Sequence, residues 1–192
     1  MRALILDGAA ADDELTALAV AGLTAELEER DYAVERIAGR EAVVAACRGC
    51  FGCWTRTPGE CVVRDDAGGV LERYIAADLV AFVTPVTFGG YSAALKRLVD
   101  RIIPLLDPRF TRVRGEVHHR LRYGRYPRLV GFGTLPAPDR DAVQTFGTLL
   151  ARNGLNFHAD APAEVLVGPA DAEHARKAAA RLLAVLKQGV AA

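Results

Sequence analysis

The chain has no uninterrupted apolar run near the roughly 18 residues that a membrane-crossing helix needs. Its opening stretch Met1-Arg-Ala-Leu-Ile-Leu6 meets Asp7 before it is long enough for the apolar part of a secretory leader. Neither charge is in excess, since 24 Lys and Arg face 24 Asp and Glu. These absences argue against a membrane protein and against a surface built throughout to grip nucleic acid, and they lead to the expectation of a cytoplasmic protein. Internal repeats, low-complexity tracts and a linker between two halves are missing too, so the expectation for 192 residues is one domain, 1–192. There is no Ser-His-Asp set and no carboxylate pair spaced for hydrolysis. The doublet Asp65-Asp66 is the nearest to one, and a helix start explains it better.

Cysteine is scarce and concentrated. All four lie in Cys47-Arg-Gly-Cys50-Phe-Gly-Cys53-Trp-Thr-Arg-Thr-Pro-Gly-Glu-Cys61. A disulfide framework belongs to small secreted chains and does not suit this one. The spacing C-x2-C-x2-C-x7-C lets three thiolates step around one corner of a cluster while Pro58-Gly59 turns the chain to bring in Cys61, a ligand set suited to one 4Fe-4S cluster. Zinc fits less well, because the pattern does not split into two separated Cys-x-x-Cys knuckles. A dithiol that cycles with a disulfide stays open. So does the plain reading of four reduced cysteines packed beside Phe51 and Trp54.

The rest of the chain alternates between strand and helix patterns. Ala3 to Leu6 is apolar and ends in Asp7-Gly8, and Leu15, Leu18, Leu23 and Leu27 then recur at helical spacing behind Asp12 or Asp13 as cap. Ala33 to Ile37 is a second strand, and after the cysteine loop Asp65-Asp66 opens a short helix through Leu71, Tyr74 and Ile75. Leu79 to Val83 is continuously apolar, as in a central parallel strand covered on both faces. Ser92 is placed to cap a helix carrying Leu95, Leu98, Val99 and Ile102, which Pro104 stops. Leu129 to Phe132 is another buried strand. A helix from about Asp141 follows, with Val143, Phe146 and Leu150 inward and Asn153-Gly154 closing it. A strand from Ala163 to Val167 and a helix from Asp171 to Lys187 complete an α/β doubly wound parallel sheet of three layers, α/β/α.

Between the Pro104 stop and Leu129 the charge is uneven. Lys96 to Arg128 holds one Lys and nine Arg against Asp100, Asp107 and Glu116, a block of about +7. Its core, 107–128, interleaves Arg109, Arg112, Arg114, Arg120, Arg122, Arg125 and Arg128 with Phe110, Tyr123 and Tyr126. The favoured expectation is an arm that pairs with a second subunit, in a homodimer or homotetramer, with nicotinamide phosphates gripped at its edge. Binding to single-stranded nucleic acid is the weakest reading, because no recognition motif accompanies the arginines. His118 and His119 are neighbours, so in a strand they face opposite sides and do not chelate one ion. They are expected at an interface, and His158 in a structural role.

Two segments together carry a resemblance. Cys47 to Asp66, followed by Thr84-Pro-Val-Thr-Phe-Gly-Gly-Tyr-Ser-Ala-Ala-Leu-Lys-Arg-Leu-Val-Asp-Arg101, is similar to the flavodoxin-like NADPH-dependent FMN reductases, and within them to the iron-sulfur flavoproteins. The resemblance implies a five-stranded parallel sheet of order 2-1-3-4-5, FMN at the carboxyl ends of its strands, NAD(P)H as electron donor, a small-molecule or protein acceptor, and a 4Fe-4S cluster on Cys47, Cys50, Cys53 and Cys61. A ligand in such a sheet sits at the switch point of strand order. Three loops are expected there: the first with Gly8 and Thr16, the second with Pro85, Val86, Thr87, Phe88, Gly89, Gly90 and Ser92, the third with Gly133 and Thr134. Gly89 and Gly90 would let the backbone approach a flat ring and offer it N–H groups. No catalytic side chain stands out.

One departure is plain. The family's first loop is of a Gly-Ser-Pro-Arg type running into Gly-Asn-Thr, whose hydroxyls and amides cradle the FMN phosphate. Here it reads Gly8-Ala-Ala-Ala-Asp-Asp-Glu-Leu-Thr16. A helix N-terminus favours an anion by about 0.3 to 1 kcal/mol per charge. A carboxylate about 7 Å from a dianion repels it by roughly 1 to 5 kcal/mol. The alternative that follows is a flavodoxin-like module that has lost FMN and serves as a binding or assembly subunit.

Overall fold

A computed structural model describes residues 1–186 of the chain. In chain order its elements are β1 (Arg2–Asp7), α1 (Glu14–Glu28), β2 (Ala33–Ala38), the single turn α2 (Gly52–Thr55), α3 (Ala67–Ala76), β3 (Leu79–Pro85) and α4 (Ala93–Asp100). A 3-10 turn, Ile103–Leu105, leads into β4 (Leu106–Val113) and β5 (Glu116–Leu121), and then come β6 (Arg128–Leu135), α5 (Arg140–Asn156), β7 (Ala163–Val167) and α6 (Ala172–Val185). Five strands form one sheet in the order β2-β1-β3-β6-β7, every neighbouring pair parallel. Once the β4–β5 hairpin is set aside, this is the expected order 2-1-3-4-5, and the fold is the flavodoxin-like α/β sandwich.

Alternation along the strands builds the two outer layers. Successive side chains of a strand point to opposite faces, so Leu4, Leu6, Val80 and Phe82 join one core with Tyr74, Leu95, Leu98, Phe146 and Leu150 from α3, α4 and α5. Ala3, Ile5, Ala81, Val83, Val130 and Phe132 join the other, with Leu23 and Leu27 of α1 and Leu182 and Leu183 of α6. Because both faces are covered, the central strands are apolar throughout rather than alternating with polar residues. Helices α1 and α6 lie close because Gly22 faces Ala175, where a Cβ would stand 2.8 Å from backbone carbon.

Several boundaries differ from expectation for physical reasons. Most of the Arg-rich segment forms the antiparallel pair β4–β5, which the strand and helix patterns did not anticipate, with Thr111 opposite His118 and Val113 opposite Glu116. Val143 is 38% exposed, on the outer side of α5. Gly154 does not end that helix; it lies inside it, where a Cβ would come within 2.6 Å of the Ala161 Cβ, so it is a packing glycine. Ile102 lies just past α4, whose final residue is Asp100. The expected end of the last helix, Lys187, lies outside the described residues.

Candidate functional site

The carboxyl ends of β1, β3 and β6 bring the three expected loops together. Gly8 donates its N–H to the Val83 carbonyl at 2.7 Å. The Ser92 hydroxyl donates to the Gly8 carbonyl at 2.7 Å and accepts from the Leu95 N–H at 3.3 Å, so the residue that caps α4 also ties the second loop to the first. A Cβ on Gly8 would lie 2.6 Å from the Ser92 Oγ and 2.8 Å from the Leu95 Cβ, which is why only glycine fits there. The third loop is tied in by the Val86 N–H, which donates to the Thr134 carbonyl at 2.9 Å. Gly133 is a packing position, with Val86 and Phe146 where its side chain would be.

The second loop is a tight two-residue turn. Thr87 and Gly90 exchange N–H···O bonds at 3.0 and 2.9 Å across Phe88 and Gly89, both at positive φ, 50° and 75°, the pattern of a type I′ turn. The Gly90 N–H is therefore satisfied within the turn and is not a donor to a ligand, contrary to expectation. Gly89 is needed both for its φ and because a Cβ would lie 2.6 Å from the Thr145 side chain. The turn holds the Phe88 ring out from the surface, fully exposed. Pro85, which ends β3 beside Thr134, has no N–H to offer.

At the first loop the structure places carboxylates on the donors that a phosphate would use. The Asp13 carboxylate accepts from the Thr16 N–H at 2.9 Å and from the Thr16 hydroxyl at 2.6 Å. Thr16 is buried, and its hydroxyl also meets the buried Thr134 hydroxyl at 2.6 Å. Asp7, 1% exposed, accepts from the Ala9 N–H at 2.8 Å and pairs with Arg36 at 2.5 Å. The residues at the ring end suit the flat face of a flavin. Those at the phosphate end, as built, do not suit a dianion.

The cysteine loop is held differently. Arg101, 2% exposed, makes a bidentate pair with Asp65 at 2.7 and 2.9 Å and donates to the Ala45 carbonyl at 2.7 Å. Asp65 also accepts from the Ala45 N–H at 2.9 Å and the Ala67 N–H at 3.0 Å. Its neighbour Asp66 accepts from the Val43 N–H at 2.7 Å. The doublet expected to open α3 thus clasps both ends of the loop, and Asp66 makes no side-chain cap bond. Burial pushes the Asp65 carboxyl up, but the Arg101 guanidinium and the two N–H donors outweigh it and hold it below the ordinary carboxylate value.

Within that clasp all four cysteines line one small hollow of about 50 Å³, with Arg101, Ile103 and Pro104. Cys47 and Cys50 are exposed, Cys61 is half-buried and Cys53 is buried. Burial pushes the Cys53 thiol above its ordinary value, and Cys61, Cys47 and Cys50 add to the effect. Arg48 and Arg101 both border the hollow; burial opposes the Arg101 charge, but Asp65 and then Cys61 outweigh it and hold the guanidinium charged. The donor set of four thiols beside a guanidinium suits a soft, anionic metal centre, although no group of three Cys, His, Asp or Glu among the described residues stands in a metal-ligand arrangement. None of the residues of the three strand-end loops lines the hollow.

Aromatic rings join the cysteine loop to the hairpin. Phe51 stacks on Trp54 with centroids 5.2 Å apart, Trp54 meets His119 at 4.7 Å and His119 meets Phe110 at 4.8 Å. The Trp54 indole donates to the Leu106 carbonyl at 3.0 Å. The hairpin is also pinned by Arg152–Glu116 and Arg114–Asp160, by His118 to Asn156 at 3.0 Å, and by His158 to the His119 carbonyl at 2.8 Å. His118 and His119 do face opposite sides, but both pack within this chain. Most of the arginines meant to hold nicotinamide phosphates are engaged here: Arg109 with Asp107, Arg125 with Asp78, Arg122 with the Pro104 and Leu106 carbonyls. The sequence did not disclose the ion pairs of Asp7 and Arg101 or the packing of His119 between Trp54 and Phe110. The signals were present only as a polar residue ending an apolar strand, an Arg just past a helix, and a doubled His.

With this geometry in place, comparison with known proteins assigns the class. Residues 1–119 match the NADPH-dependent FMN reductase family, and the chain belongs to that family. Among curated relatives, an iron-sulfur flavoprotein of Methanocaldococcus jannaschii is 31% identical over 105 residues, 55% of this chain and 53% of the relative. One of Methanosarcina thermophila is 34% identical over 83 residues, 43% of this chain and 42% of the relative. The matching stretch thus spans about half the length of these relatives or less. Among solved structures, an NAD(P)H:quinone oxidoreductase from Methanothermobacter marburgensis superposes with a TM-score of 0.69 at 16% identity, covering 95% of both chains. An FMN-dependent NADH-azoreductase from Bacillus anthracis, in complex with FMN, gives 0.66 at 14% identity, covering 97% of this chain and 98% of that one. At those identities the two structures show a shared fold.

Proposed function

We propose that the protein is a flavin-dependent NAD(P)H oxidoreductase of the FMN reductase type, working in the cytoplasm as a homo-oligomer and passing electrons to a small-molecule or protein acceptor. The observation that carries this reading is the convergence of the three loops at the switch point of the sheet, held by the Ser92–Gly8 and Val86–Thr134 bonds. A bound flavin would supply the exchange between two-electron and one-electron chemistry. The chain's own part is to hold the flavin's ring between the Pro85–Ser92 turn and the Gly133–Thr134 strand end, with Phe88 positioned to cover its exposed face. Cys47, Cys50, Cys53 and Cys61 would hold a 4Fe-4S cluster, with Arg101 balancing its negative charge. The names of the curated relatives support this second redox group.

The experiment is anaerobic mixing of the flavin-loaded protein with NADPH or NADH. Bleaching of the flavin absorbance, followed by its return when a quinone is added, is the expected result. A flavin that stays oxidised with both nucleotides would sink the reductase reading. A second reading, a module without flavin used for binding or assembly, is favoured by one observation: the Asp13 carboxylate on the Thr16 donors. Failure to take up any flavin would establish it.

A further inference from the structure

We infer that the first loop of this protein gives FMN no advantage over a flavin without a phosphate, and that Asp13 is the residue responsible. The inference rests on the flavin reading above and concerns which flavin the site takes: riboflavin binds at least as tightly as FMN.

A phosphate at the start of α1 is normally held by first-turn N–H groups and by hydroxyls that can turn toward it. In this chain the Thr16 N–H and hydroxyl both end on the Asp13 carboxylate, at 2.9 and 2.6 Å. The hydroxyl is further confined by Thr134 at 2.6 Å, in a site where both threonines are buried. An incoming phosphate would have to displace a carboxylate that caps the helix, and would gain no cation in return. The loop from 8 to 16 contains no Lys or Arg. Arg36 lies nearby but is committed to the buried Asp7, bonding it at 2.8 Å through Nε and 2.5 Å through the terminal nitrogen, and Arg40 stands 3.9 Å from the same oxygen. Asp12 and Glu14 flank Asp13 and add to the negative field. The Thr87–Gly90 turn at the ring end is held by its own bonds, and Thr134 keeps its backbone bond to Val86 whatever its hydroxyl does, so a flavin lacking the phosphate keeps the ring-end surface.

The test is titration of the flavin-free, full-length protein with FMN and, separately, riboflavin, followed by quenching of flavin fluorescence, for wild type and for Asp13→Ser. Serine keeps an oxygen able to accept from the Thr16 N–H, and circular dichroism checks that the helix content is unchanged. The expected result is a wild-type Kd for riboflavin equal to or below that for FMN. Asp13→Ser should then tighten FMN by about tenfold, the scale of removing one carboxylate some 5 Å from a dianion in water, while leaving riboflavin within about twofold. Wild type binding FMN ten times tighter than riboflavin, or a variant that moves both flavins equally, would overturn the inference and leave the flavin reading standing. If neither flavin binds either protein, the flavin reading itself falls and the inference with it. Should Asp13→Ser fail to fold, the wild-type ratio alone decides.

Discussion

Two Asp-Asp doublets precede helices in this chain, Asp12-Asp13 before α1 and Asp65-Asp66 before α3, and the structure spends them in opposite ways. Asp13 turns inward along its own helix and takes the Thr16 N–H and hydroxyl, so the loop closes on itself. Asp65 and Asp66 reach back to the N–H groups of Ala45 and Val43, and Asp65, which also takes the Ala67 N–H of its own helix, pairs with the buried Arg101, so the loop they anchor has its thiols left over. A carboxylate beside a functional loop can therefore occupy the ligand's place or free the residues that take the ligand. What decides is whether a buried cation is there to redirect it.

The largest effect should come from breaking the clasp. Asp65→Asn leaves Arg101 buried without its counter-charge, and the expected loss is about 3 to 5 kcal/mol of unfolding free energy, read from a denaturant titration. A loss below 1 kcal/mol would mean that the loop is not held this way. Next, the metal-free thiols should separate by exposure: alkylation by iodoacetamide is expected at Cys47 and Cys50 first and at Cys53 slowest, by about tenfold or more. Uniform rates, read by peptide mass, would place Cys53 at the surface. At the first loop the changes are smaller. Asp13→Ala should cost about 1 kcal/mol by removing the cap, whereas Asp12→Asn should stay within about 0.5 kcal/mol. Equal losses would erase the distinction between the two residues. The smallest effect concerns the hairpin. Arg152, followed by His118, holds the Glu116 carboxyl down at about 2. The pair's contribution is therefore complete above the ordinary carboxylate value and is lost as pH falls toward 2. Glu116→Gln should lower the neutral-pH midpoint slightly and leave the midpoint near pH 2 unchanged, which flattens the acid dependence; equal midpoints at neutral pH would mean that the pair contributes nothing.

The sheet was legible because its strands are apolar runs and its helices begin at capping residues, and both signals are local. Ser92 was recognisable as a cap for the same reason, and its bond to Gly8 follows from the topology. The hairpin hid inside an Arg-rich stretch because several arginines have partners, such as Asp78 for Arg125 and Asp160 for Arg114, that lie far off in sequence. Gly90 misled because its donor is consumed by a turn partner three residues away. The clasp was beyond reach: nothing near Arg101 in sequence says that it will be buried against Asp65, a pairing of elements that come together only when α4 packs beside the cysteine loop.

The most direct test of the account is the visible absorbance of protein purified without oxygen and supplied with flavin, with flavin, iron and zinc quantified on the same sample. The account predicts one flavin and about four irons per chain. A colourless protein that takes up no flavin, with zinc or no metal on its cysteines, would contradict it.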